Sequence, residues 1–276
     1  MTTVQKLSGW ERSLDNTSVE QTQPVLFIGH GSPMNALYDN NFTRGLAKIG
    51  SELATPKAIM VVSAHWLTRG TYVATTTKPE TIYDFGGFPE ELFQVKYPAS
   101  GSPEMAKQTI KETTSVKILE DAEWGLDHGA WTVLKHMFPM ANIPVYQLSI
   151  DYTQPAQYHY ELGKHLAGLR KKGVLIIGSG NIVHNLSQIN FNLSANPFDW
   201  ALEFDSWSKE KLLSYSFNDL INYTNLGKVA QLAVPTNDHY LPMLYCIGMK
   251  QPNDSLKMLY EEIQHGSISM RCFKIG

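Results

Sequence analysis

Short, unbroken apolar segments, spaced along the chain, constrain the fold more than any other feature of this sequence. They are rich in β-branched residues and do not alternate with polar residues, which is typical of strands buried on both faces of a sheet. A sheet built from such strands needs cover on both sides. The segments with this character are residues 25–28, 58–63, 71–75, 144–150, 173–178 and 267–275.

The stretches between these segments have helical features. Residues 102–112 begin with a serine N-cap followed by proline at the first helical position. Residues 159–173 space leucines along one face and end in basic residues and glycine, and residues 198–215 place aromatic residues on one side. Strands that alternate with helices predict a single α/β domain over residues 24–276, with a central mixed sheet covered by helices on both faces. The polar residues 1–23 predict a flexible N-terminal arm.

Composition narrows the classes of partner. The 276 residues carry a formal net charge of −3, which excludes the broad basic face of a nucleic-acid-binding protein. No apolar run approaches the roughly 20 residues of a membrane-spanning helix, and the polar N-terminal residues lack the apolar core of a secretory signal. Cys246 and Cys272 form no C-x-x-C pair, which excludes a thiolate metal site and fits a reducing cytoplasm. We therefore expect a cytoplasmic protein that acts on a small molecule, with neither nucleic acid nor membrane as partner.

Nine histidines remain as the soft nitrogen ligands of the chain. Four lie inside helical patterns or in a turn and are expected to be structural: His136, His159, His165 and His265. The other five follow strands or precede helices: His30, His65, His128, His184 and His239. In open α/β sheets the loops at the carboxyl ends of the strands are where ligands bind. We expect most of these five side chains to form one cluster, with glycines beside His30 that let the backbone approach closely.

Histidines without cysteine suit one divalent ion such as Zn²⁺, Fe²⁺, Cu²⁺ or Ni²⁺. The chain has no H-E-x-x-H helix, so the ligands have to come from loops that are far apart in the sequence. Dinucleotide binding is not indicated, because the G-x-G of Gly178 and Gly180 lacks its third glycine. A serine hydrolase is not indicated either, since no G-x-S-x-G occurs. The segment YDFGGFP, at residues 83–89, is either a surface hairpin or a pocket wall for a flat ring.

Five segments together make a specific set of motifs. They are G-H-G-S-P at 29–33, S-A-H-W at 63–66, D-H-G-A-W at 127–131, S-G-N-I-V-H-N at 179–185 and H-Y-L-P at 239–242. In this order they resemble the 4,5-DOPA extradiol dioxygenase family, which belongs to the class III extradiol ring-cleavage dioxygenases. DFGGFP and QLSID are also similar to family segments, and the resemblance runs from about residue 24 to the C-terminus.

The resemblance implies a single-domain α/β fold around one divalent non-haem metal ion. His30, His65 and His239 match its ligand positions, and His184 matches a position that completes a four-histidine set or acts on the substrate as an acid/base. Many extradiol enzymes use two histidines and a carboxylate, whereas the third position here is His239. This all-nitrogen set leaves both Fe²⁺ and Zn²⁺ open. Asp238 is expected to point elsewhere, because neighbouring side chains diverge along an extended backbone.

The implied reaction is the opening of a catechol ring, such as that of DOPA, by O₂ to a muconic semialdehyde-type product. A redox-active centre is needed for that reaction, which favours Fe²⁺. His128 matches a histidine that lines the pocket, and either His128 or His184 would take a phenolic proton. Ser32, Trp66 and Tyr240 lie close to predicted ligands and are candidate substrate contacts, although Trp66 and Tyr240 fit a place in the core equally well.

Two other functions stay open on the sequence. A zinc hydrolase would use a metal-bound hydroxide as nucleophile, and four nitrogen ligands would argue against it because catalytic zinc keeps one position for water. A non-enzymatic metal-binding relative is disfavoured by His128 and His184, neither of which is needed to hold a core. The sequence predicts no particular oligomeric state.

Overall fold

An eight-stranded mixed sheet lies at the centre of the structure, a computed structural model that describes residues 22–113 and 115–276. Across the sheet the order is β4-β3-β5-β2-β6-β1-β10-β7, and β8 pairs with β9 in a separate small sheet. The strands are β1 (Val25–Gly29), β2 (Ala58–Thr68), β3 (Thr71–Ala74), β4 (Ile118–Asp121), β5 (Val145–Asp151), β6 (Val174–Gly180), β7 (Leu256–Tyr260), β8 (Ile263–Gln264), β9 (Ile268–Ser269) and β10 (Cys272–Ile275).

The four inner strands β5, β2, β6 and β1 run parallel to one another. Antiparallel pairing flanks them on both sides, because β10 and β7 follow β1 and because β3 is antiparallel to β5. The carboxyl ends of β1, β2 and β6 therefore face the same edge of the sheet. That edge carries the candidate site.

Helices cover the sheet. In the described residues they are α1 (Asn41–Ser51), α2 (Glu90–Phe93), α3 (Pro103–Glu112), α4 (His128–Met137), α5 (Ala156–Leu166), α6 (Asp199–Leu213), α7 (Phe217–Ile221), α8 (Lys228–Ala233) and α9 (Leu241–Gly248), with short 3₁₀ turns between some of them. None of the described helices combines the length and the apolar character needed to cross a bilayer.

Both faces of the sheet are buried, as the unbroken apolar strands predict. Side chains alternate along β1, so that Val25 and Phe27 belong to one core while Leu26 and Ile28 belong to the other. Residues of α5, α6 and α9 fill the first core, and residues of α1 and α4 fill the second. The predicted α/β fold with helices on both faces is confirmed.

Some boundaries differ from the predicted ones. Strand β2 does not end at residue 63 but continues to Thr68, with a shift in register between Val62 and Leu67. The apolar segment 267–275 is not one strand, because β9 pairs with β8 while β10 pairs with β1. Strands β4 and β7 went unpredicted because both are edge strands with partly exposed side chains, so their sequences are less apolar.

The predicted N-terminal arm, residues 1–23, lies outside the described residues except for its last two. Gln23 already belongs to the domain, because its side chain is buried and its N–H donates to the carbonyl of Arg170 at 3.1 Å. Residue 23 thus packs with the domain that was predicted to begin at residue 24.

Candidate metal centre

Three imidazoles converge at the carboxyl edge of the sheet. His30 directly follows β1, His65 lies where the register of β2 shifts, and His239 lies in the turn before α9. One ring nitrogen from each of the three lies within 4.8 Å of the others, and the Nε2 atoms of His30 and His65 are 3.1 Å apart. Local irregularities in a strand commonly re-aim side chains beside functional sites, and the shift in β2 fits that role for His65.

The hydrogen bonds of His30 fix its tautomer. Its Nδ1 lies 2.9 Å from Oγ of Ser179, and that hydroxyl lies 2.6 Å from the carbonyl oxygen of Gly129. A carbonyl only accepts, so the hydroxyl donates to Gly129 and accepts the Nδ1–H of His30. The Nε2 atom of His30 is therefore unprotonated and presents its lone pair to the cluster.

His239 is oriented by its neighbour Asp238. Oδ2 of Asp238 accepts the Nδ1–H of His239 at 2.6 Å, which leaves Nε2 of His239 without a proton. The expectation that Asp238 points elsewhere is wrong, because residues 238–240 form a turn rather than an extended strand. Burial raises the pKa of Asp238, but the hydrogen bond and charge of His239 together with the hydrogen bond from Thr236 and a backbone hydrogen bond outweigh it, and the net pKa is well below the ordinary value. An ionised carboxylate behind the ring makes His239 a more basic ligand.

The donor set fits a cation. Nδ1 of His65 lies 3.3 Å from Oδ2 of Asp84, so this ring too is oriented with its Nε2 toward His30. With both Nε2 atoms unprotonated, as metal ligation requires, a separation of 3.1 Å needs a positive charge beside them. Nitrogens bound to one ion at about 2.0–2.1 Å have a separation of this order. The three rings therefore suit one divalent metal ion.

Burial keeps the rings neutral, as metal ligation requires. Burial lowers the pKa of His30 well below its ordinary value, and the nearby His239, His128 and His184 lower it further. Burial lowers the pKa of His65 in the same way, with His128 as the next contribution. Burial, followed by the neighbouring His239, lowers the pKa of His184 to about 3. Lone pairs on these rings are available to a metal at neutral pH.

The glycines beside His30 have the predicted steric role. A Cβ on Gly29 would lie 2.8 Å from the carbonyl carbon of Met270 and 2.8 Å from the carbonyl oxygen of Ser269. Gly31 has a φ of +64°, and a Cβ there would lie 2.5 Å from the sulfur of Met270. Backbone atoms leave no room for a side chain at Gly29, and at Gly31 a side chain is disfavoured by the positive φ and by the side chain of Met270.

Replacing Gly29 by alanine is expected to lower the free energy of unfolding by about 1–3 kcal/mol, because the added methyl group meets backbone atoms that cannot rotate away. Gly45→Ala in helix α1 is the matched control. A Cβ there makes only an ordinary contact at 3.5 Å with Tyr260, so helix propensity should stabilise the protein by up to about 1 kcal/mol. Urea unfolding of both variants measures whether the free energy of unfolding falls for Gly29→Ala and rises for Gly45→Ala. Equal effects at the two glycines would contradict the close approach at Gly29.

His128 lies beside the three converging rings, and its carboxylate partner is Asp84. The backbone N–H of His128 donates to Oδ1 of Asp84 at 3.0 Å, and its Nδ1 donates to Oδ2 at 2.8 Å. Because one carboxylate accepts both bonds, the position and the tautomer of this ring are fixed, and Nε2 is left as an acceptor. Burial raises the pKa of Asp84, but the hydrogen bond and charge of His128 outweigh it, and the net pKa is lowered.

His184 occupies a different place from the three converging rings. It stacks on His239 with ring centroids 3.6 Å apart and planes 9° apart. Its nitrogens do not belong to the compact set formed by His30, His65 and His239. Of the four histidines in the predicted ligand set, the structure thus groups three, and His184 lines the cavity beside them.

Several motif residues support the site from behind. Asp127, the N-cap of helix α4, accepts from Oγ of Ser63 at 2.6 Å and from Nε2 of Gln147 at 2.7 Å. Asn181 accepts from the N–H of Gly31 at 3.4 Å and donates to the carbonyl of Ser269 at 2.8 Å. These bonds tie together loops that are far apart in the chain, and they give Ser63, Asp127 and Asn181 of the predicted motifs a supporting role.

A cavity of about 500 Å³ opens in front of the imidazoles. All five predicted histidines line it, together with Ser32, and it is within the size range of small-molecule sites. Phe85 and Phe88 of the YDFGGFP segment also line it, with the ring of Phe85 edge-on to His128 at 5.4 Å between centroids. Of the two interpretations of that segment, the pocket wall is correct.

Trp66 and Tyr240 do not line the cavity. Trp66 follows His65 in a strand, so its side chain points to the opposite face, where it stacks on Trp124 at 5.0 Å. Tyr240 is fully buried and its hydroxyl donates to the carbonyl of Leu220 at 2.9 Å. The assignment of these two residues as substrate contacts is corrected: both are core aromatics.

The four histidines that were expected to be structural divide into two groups. His136, His159 and His165 lie outside the cavity lining, bonded to the carbonyl of Asn35, to Tyr245 and to Ser115 respectively. His265, by contrast, lines the cavity at its outer end. The sequence around His265, a histidine beside a glycine in a turn, did not indicate that it lines the cavity.

Three imidazoles at the carboxyl edge of an α/β sheet, facing a cavity with two further histidines, are an arrangement typical of metal-dependent enzymes. The family model described as the catalytic LigB subunit of aromatic ring-opening dioxygenase matches residues 24–270. The chain therefore belongs to this family and is an aromatic ring-cleaving dioxygenase, as the motifs predict.

Individual relatives agree. The chain is 44% identical over 257 residues to the 4,5-DOPA dioxygenase extradiol of Escherichia coli strain K12, covering 92% of this chain and 94% of that protein. It is 36% identical over 263 residues to the 4,5-DOPA dioxygenase extradiol of Beta vulgaris, covering 93% and 98%. The crystal structure of an uncharacterized Escherichia coli K12 protein superposes with a TM-score of 0.81 at 40% identity, covering 92% of this chain and 100% of that one.

Proposed function

We propose that this chain opens the ring of a DOPA-like catechol, one with a short polar side chain, by an extradiol reaction with O₂. Convergence of the His30, His65 and His239 nitrogens at the inner end of a cavity of about 500 Å³ is the observation that carries the proposal. In the overall reaction one ring C–C bond beside the diol breaks and both oxygen atoms enter the product. The electrons come from the ring itself, so no further reductant is required.

Fe²⁺ is the metal we propose for His30, His65 and His239. When bound it would supply the redox chemistry that links catechol and O₂, which Zn²⁺ has no means of supplying. Imidazole nitrogens carry no negative charge to balance that of the ion, and the anionic oxygens of a catechol would provide the compensation. Imidazole is a ligand type that suits either ion, so the choice rests on the reaction.

His128 is the residue we assign to the first proton transfer. Its Nδ1–H is held by Asp84 at 2.8 Å, so Nε2 is the ring atom free to accept the phenolic proton, and the protonated ring would be stabilised by the carboxylate. The carboxylate of Asp84 orients His128 as a general base, as aspartate orients histidine in other enzymes that pair the two. A general base of this kind contributes typically about 10²- to 10⁴-fold to the rate.

His184 is assigned to the wall of the substrate site rather than to the metal. Its stacking on His239 at 3.6 Å keeps it parallel to a ligand ring instead of beside the other ligand nitrogens. Phe85 and Phe88 offer apolar surface for the flat ring. Ser32 lines the same space.

The proposal is tested by reconstituting metal-free protein anaerobically with Fe²⁺ or Zn²⁺ and then adding catechols and O₂. We expect the Fe²⁺ protein to consume one O₂ per catechol and to form a product with a new visible absorbance. The Zn²⁺ protein should bind catechol without consuming O₂. Oxygen-electrode traces, absorbance and product mass, which should rise by two oxygen atoms, measure the outcome.

Two results would overturn the proposal. The first is a failure of the Fe²⁺ protein to consume O₂ with any catechol. The second is hydrolysis of esters or amides by the Zn²⁺ protein without O₂, which would favour a zinc hydrolase with a metal-bound hydroxide. Binding of metal with neither activity would favour a non-enzymatic relative.

We also propose that residues 24–276 form the catalytic domain and that the protein works in the cytoplasm. Cys246 and Cys272 are both buried and unpaired, which suits a reducing compartment.

A further inference from the structure

The outer half of the cavity differs chemically from the inner half. Apart from the imidazoles its wall is largely apolar: Leu186 and Phe191 are exposed at its mouth, and Met34, Ile189, Leu193 and Ile268 complete it. Among the described residues that line the cavity there is neither lysine nor arginine, and the one acid, Asp84, is at the inner end. A carboxylate carried on the substrate side chain would find no cationic partner of that kind here.

His265 is the polar residue that the fold holds rigidly at this outer end. It lies at the tip of the β8–β9 hairpin with φ +55°, followed by Gly266 with φ +75°, and Ser267 N–H donates to the carbonyl of Gln264 at 3.3 Å. Two successive positive φ angles are the pattern of a type I′ turn, whose first position usually carries asparagine, aspartate or glycine. A histidine held in this sparsely populated region points to a function for its ring.

The hairpin tip is bonded to the segment that forms the apolar wall. Asn190 N–H donates to the carbonyl of His265 at 3.0 Å, and His265 N–H donates to the carbonyl of Leu193 at 3.0 Å. The ring itself is held as well, because Nδ1 donates to the carbonyl of Asn190 at 2.9 Å. Since Nδ1 carries the proton, Nε2 of the neutral ring is a hydrogen-bond acceptor, and within the described chain no bond to it is formed.

The other polar residues of the outer cavity are less well suited. Oγ of Ser32 already accepts from the N–H of Met34 at 3.2 Å, as the cap of a 3₁₀ turn. Tyr38 is 41% exposed, so solvent competes for its hydroxyl. A group held in place before binding loses less entropy when the ligand arrives, which favours His265 as the recognition group.

We propose that His265 determines substrate specificity by accepting, at Nε2, a hydrogen bond from an ammonium or hydroxyl group at the end of a short chain on the catechol ring. The inference rests on the proposed function, because the diol has to occupy the imidazole end of the cavity for the chain to extend toward the hairpin. Apolar residues then surround the methylene groups, and the polar end meets His265. A carboxylate at the same position would face an acceptor instead of a donor.

The test uses the Fe²⁺-loaded enzyme and four catechols that differ only at the end of a two-carbon chain: ethyl, aminoethyl, hydroxyethyl and carboxyethyl. We expect kcat/KM for the aminoethyl and hydroxyethyl compounds to exceed that for the ethyl compound by about tenfold, the effect of one hydrogen bond. The carboxyethyl compound should be the poorest. Anaerobic binding of the same four compounds should give the same order of Kd.

His265→Gly removes the ring, and glycine adopts a positive φ without strain, so the turn is preserved. The ratio of kcat/KM between the aminoethyl and ethyl compounds should fall to about one, through KM rather than kcat, because the chain end does not touch the reacting bond. Tyr215→Gly is the matched control. Tyr215 also has a positive φ, of 56°, and it does not line the cavity, so the ratio should stay at the wild-type value.

Three results would overturn the proposal for His265. The ratio could persist in His265→Gly, it could disappear in Tyr38→Phe while persisting in His265→Gly, or the wild-type enzyme could prefer the carboxyethyl compound. Absence of O₂ uptake with all four catechols would instead reject the proposed function. Because the specificity is a ratio within one variant, a general loss of folded enzyme does not imitate the expected result.

Discussion

His65→Ala is expected to abolish O₂ uptake and to lower the affinity for Fe²⁺ by more than about 100-fold. Changes to the partners of metal ligands already cost 10- to 100-fold in affinity, and loss of a ligand itself costs more. His65 contributes Nε2 to the cluster at 3.1 Å from Nε2 of His30, so removing it leaves two nitrogens from His30 and His239. Metal content after dialysis and an oxygen-electrode assay measure the two effects together.

The matched control is His165→Ala, which removes the same side chain from the exposed surface of helix α5, where its ring contacts Ser115. This variant should keep one metal per chain and the wild-type rate. Stoichiometric Fe²⁺ with O₂ uptake in His65→Ala would contradict the three-histidine centre. Thermal melting of both variants in the metal-free state separates loss of metal from loss of fold.

Asp84→Asn is expected to lower kcat by about 10²- to 10⁴-fold while the metal content stays near one per chain. Asp84 accepts two bonds from His128, at 3.0 Å from the backbone N–H and at 2.8 Å from Nδ1. An amide has one accepting side and one donating side. If its oxygen keeps the backbone N–H, its NH₂ faces Nδ1, and the ring proton moves to Nε2, where it blocks acceptance of a proton from the substrate.

KM against kcat distinguishes this positioning role from a structural one, because the wrong tautomer slows proton transfer without preventing substrate binding. Asp39→Asn is the control, since Asp39 is an exposed partner of Arg44 at 2.7 Å and its loss should leave kcat unchanged. A kcat within threefold of wild type in Asp84→Asn would contradict the role assigned to Asp84. So would a parallel loss of Fe²⁺, which would place its effect on His65, whose Nδ1 lies 3.3 Å from Oδ2 of the same carboxylate.

The class of fold could be predicted because burial on two faces requires continuous apolar strands, and that requirement is local. The inner strands β1, β2 and β6 were found for this reason, since nearly all of their residues are buried. The edge strands β4 and β7 were missed because exposed residues dilute the apolar signal. The separation of β9 from β10 was missed because it depends on which strand each one pairs with.

The part of the candidate site that could be predicted is the set of histidines that follow strands or precede helices. The five histidines were found because each lies at the end of an element or at an irregularity, and all of them line one cavity. Asp84 was found only as part of the DFGGFP segment, and its contact with His128 was missed, because it lies 44 residues before His128 and only folding brings the two together. Asp238 was misjudged because its contact with His239 depends on a turn.

Trp66 and Tyr240 show how adjacency in sequence misleads. Residues next to a ligand point away from it in a strand, so nearness to His65 placed Trp66 in the core and not in the cavity. His265 shows the opposite error. It was set aside as a turn residue, and the pairing of its hairpin with residues 190–193 brings it to the cavity wall.

By itself, the sequence determined that this protein is built on buried parallel strands and that histidines lie at the carboxyl edge of the sheet. The buried sheet follows from the apolar character of the strands, and the shared edge follows from their parallel direction; both are properties of short segments. The tertiary structure decided which nitrogen of each ring faces the metal and which groups surround the substrate. Those outcomes depend on hydrogen bonds between residues that are distant in the sequence. His30 and Ser179, for example, are 149 positions apart, and only the packed fold brings them into contact.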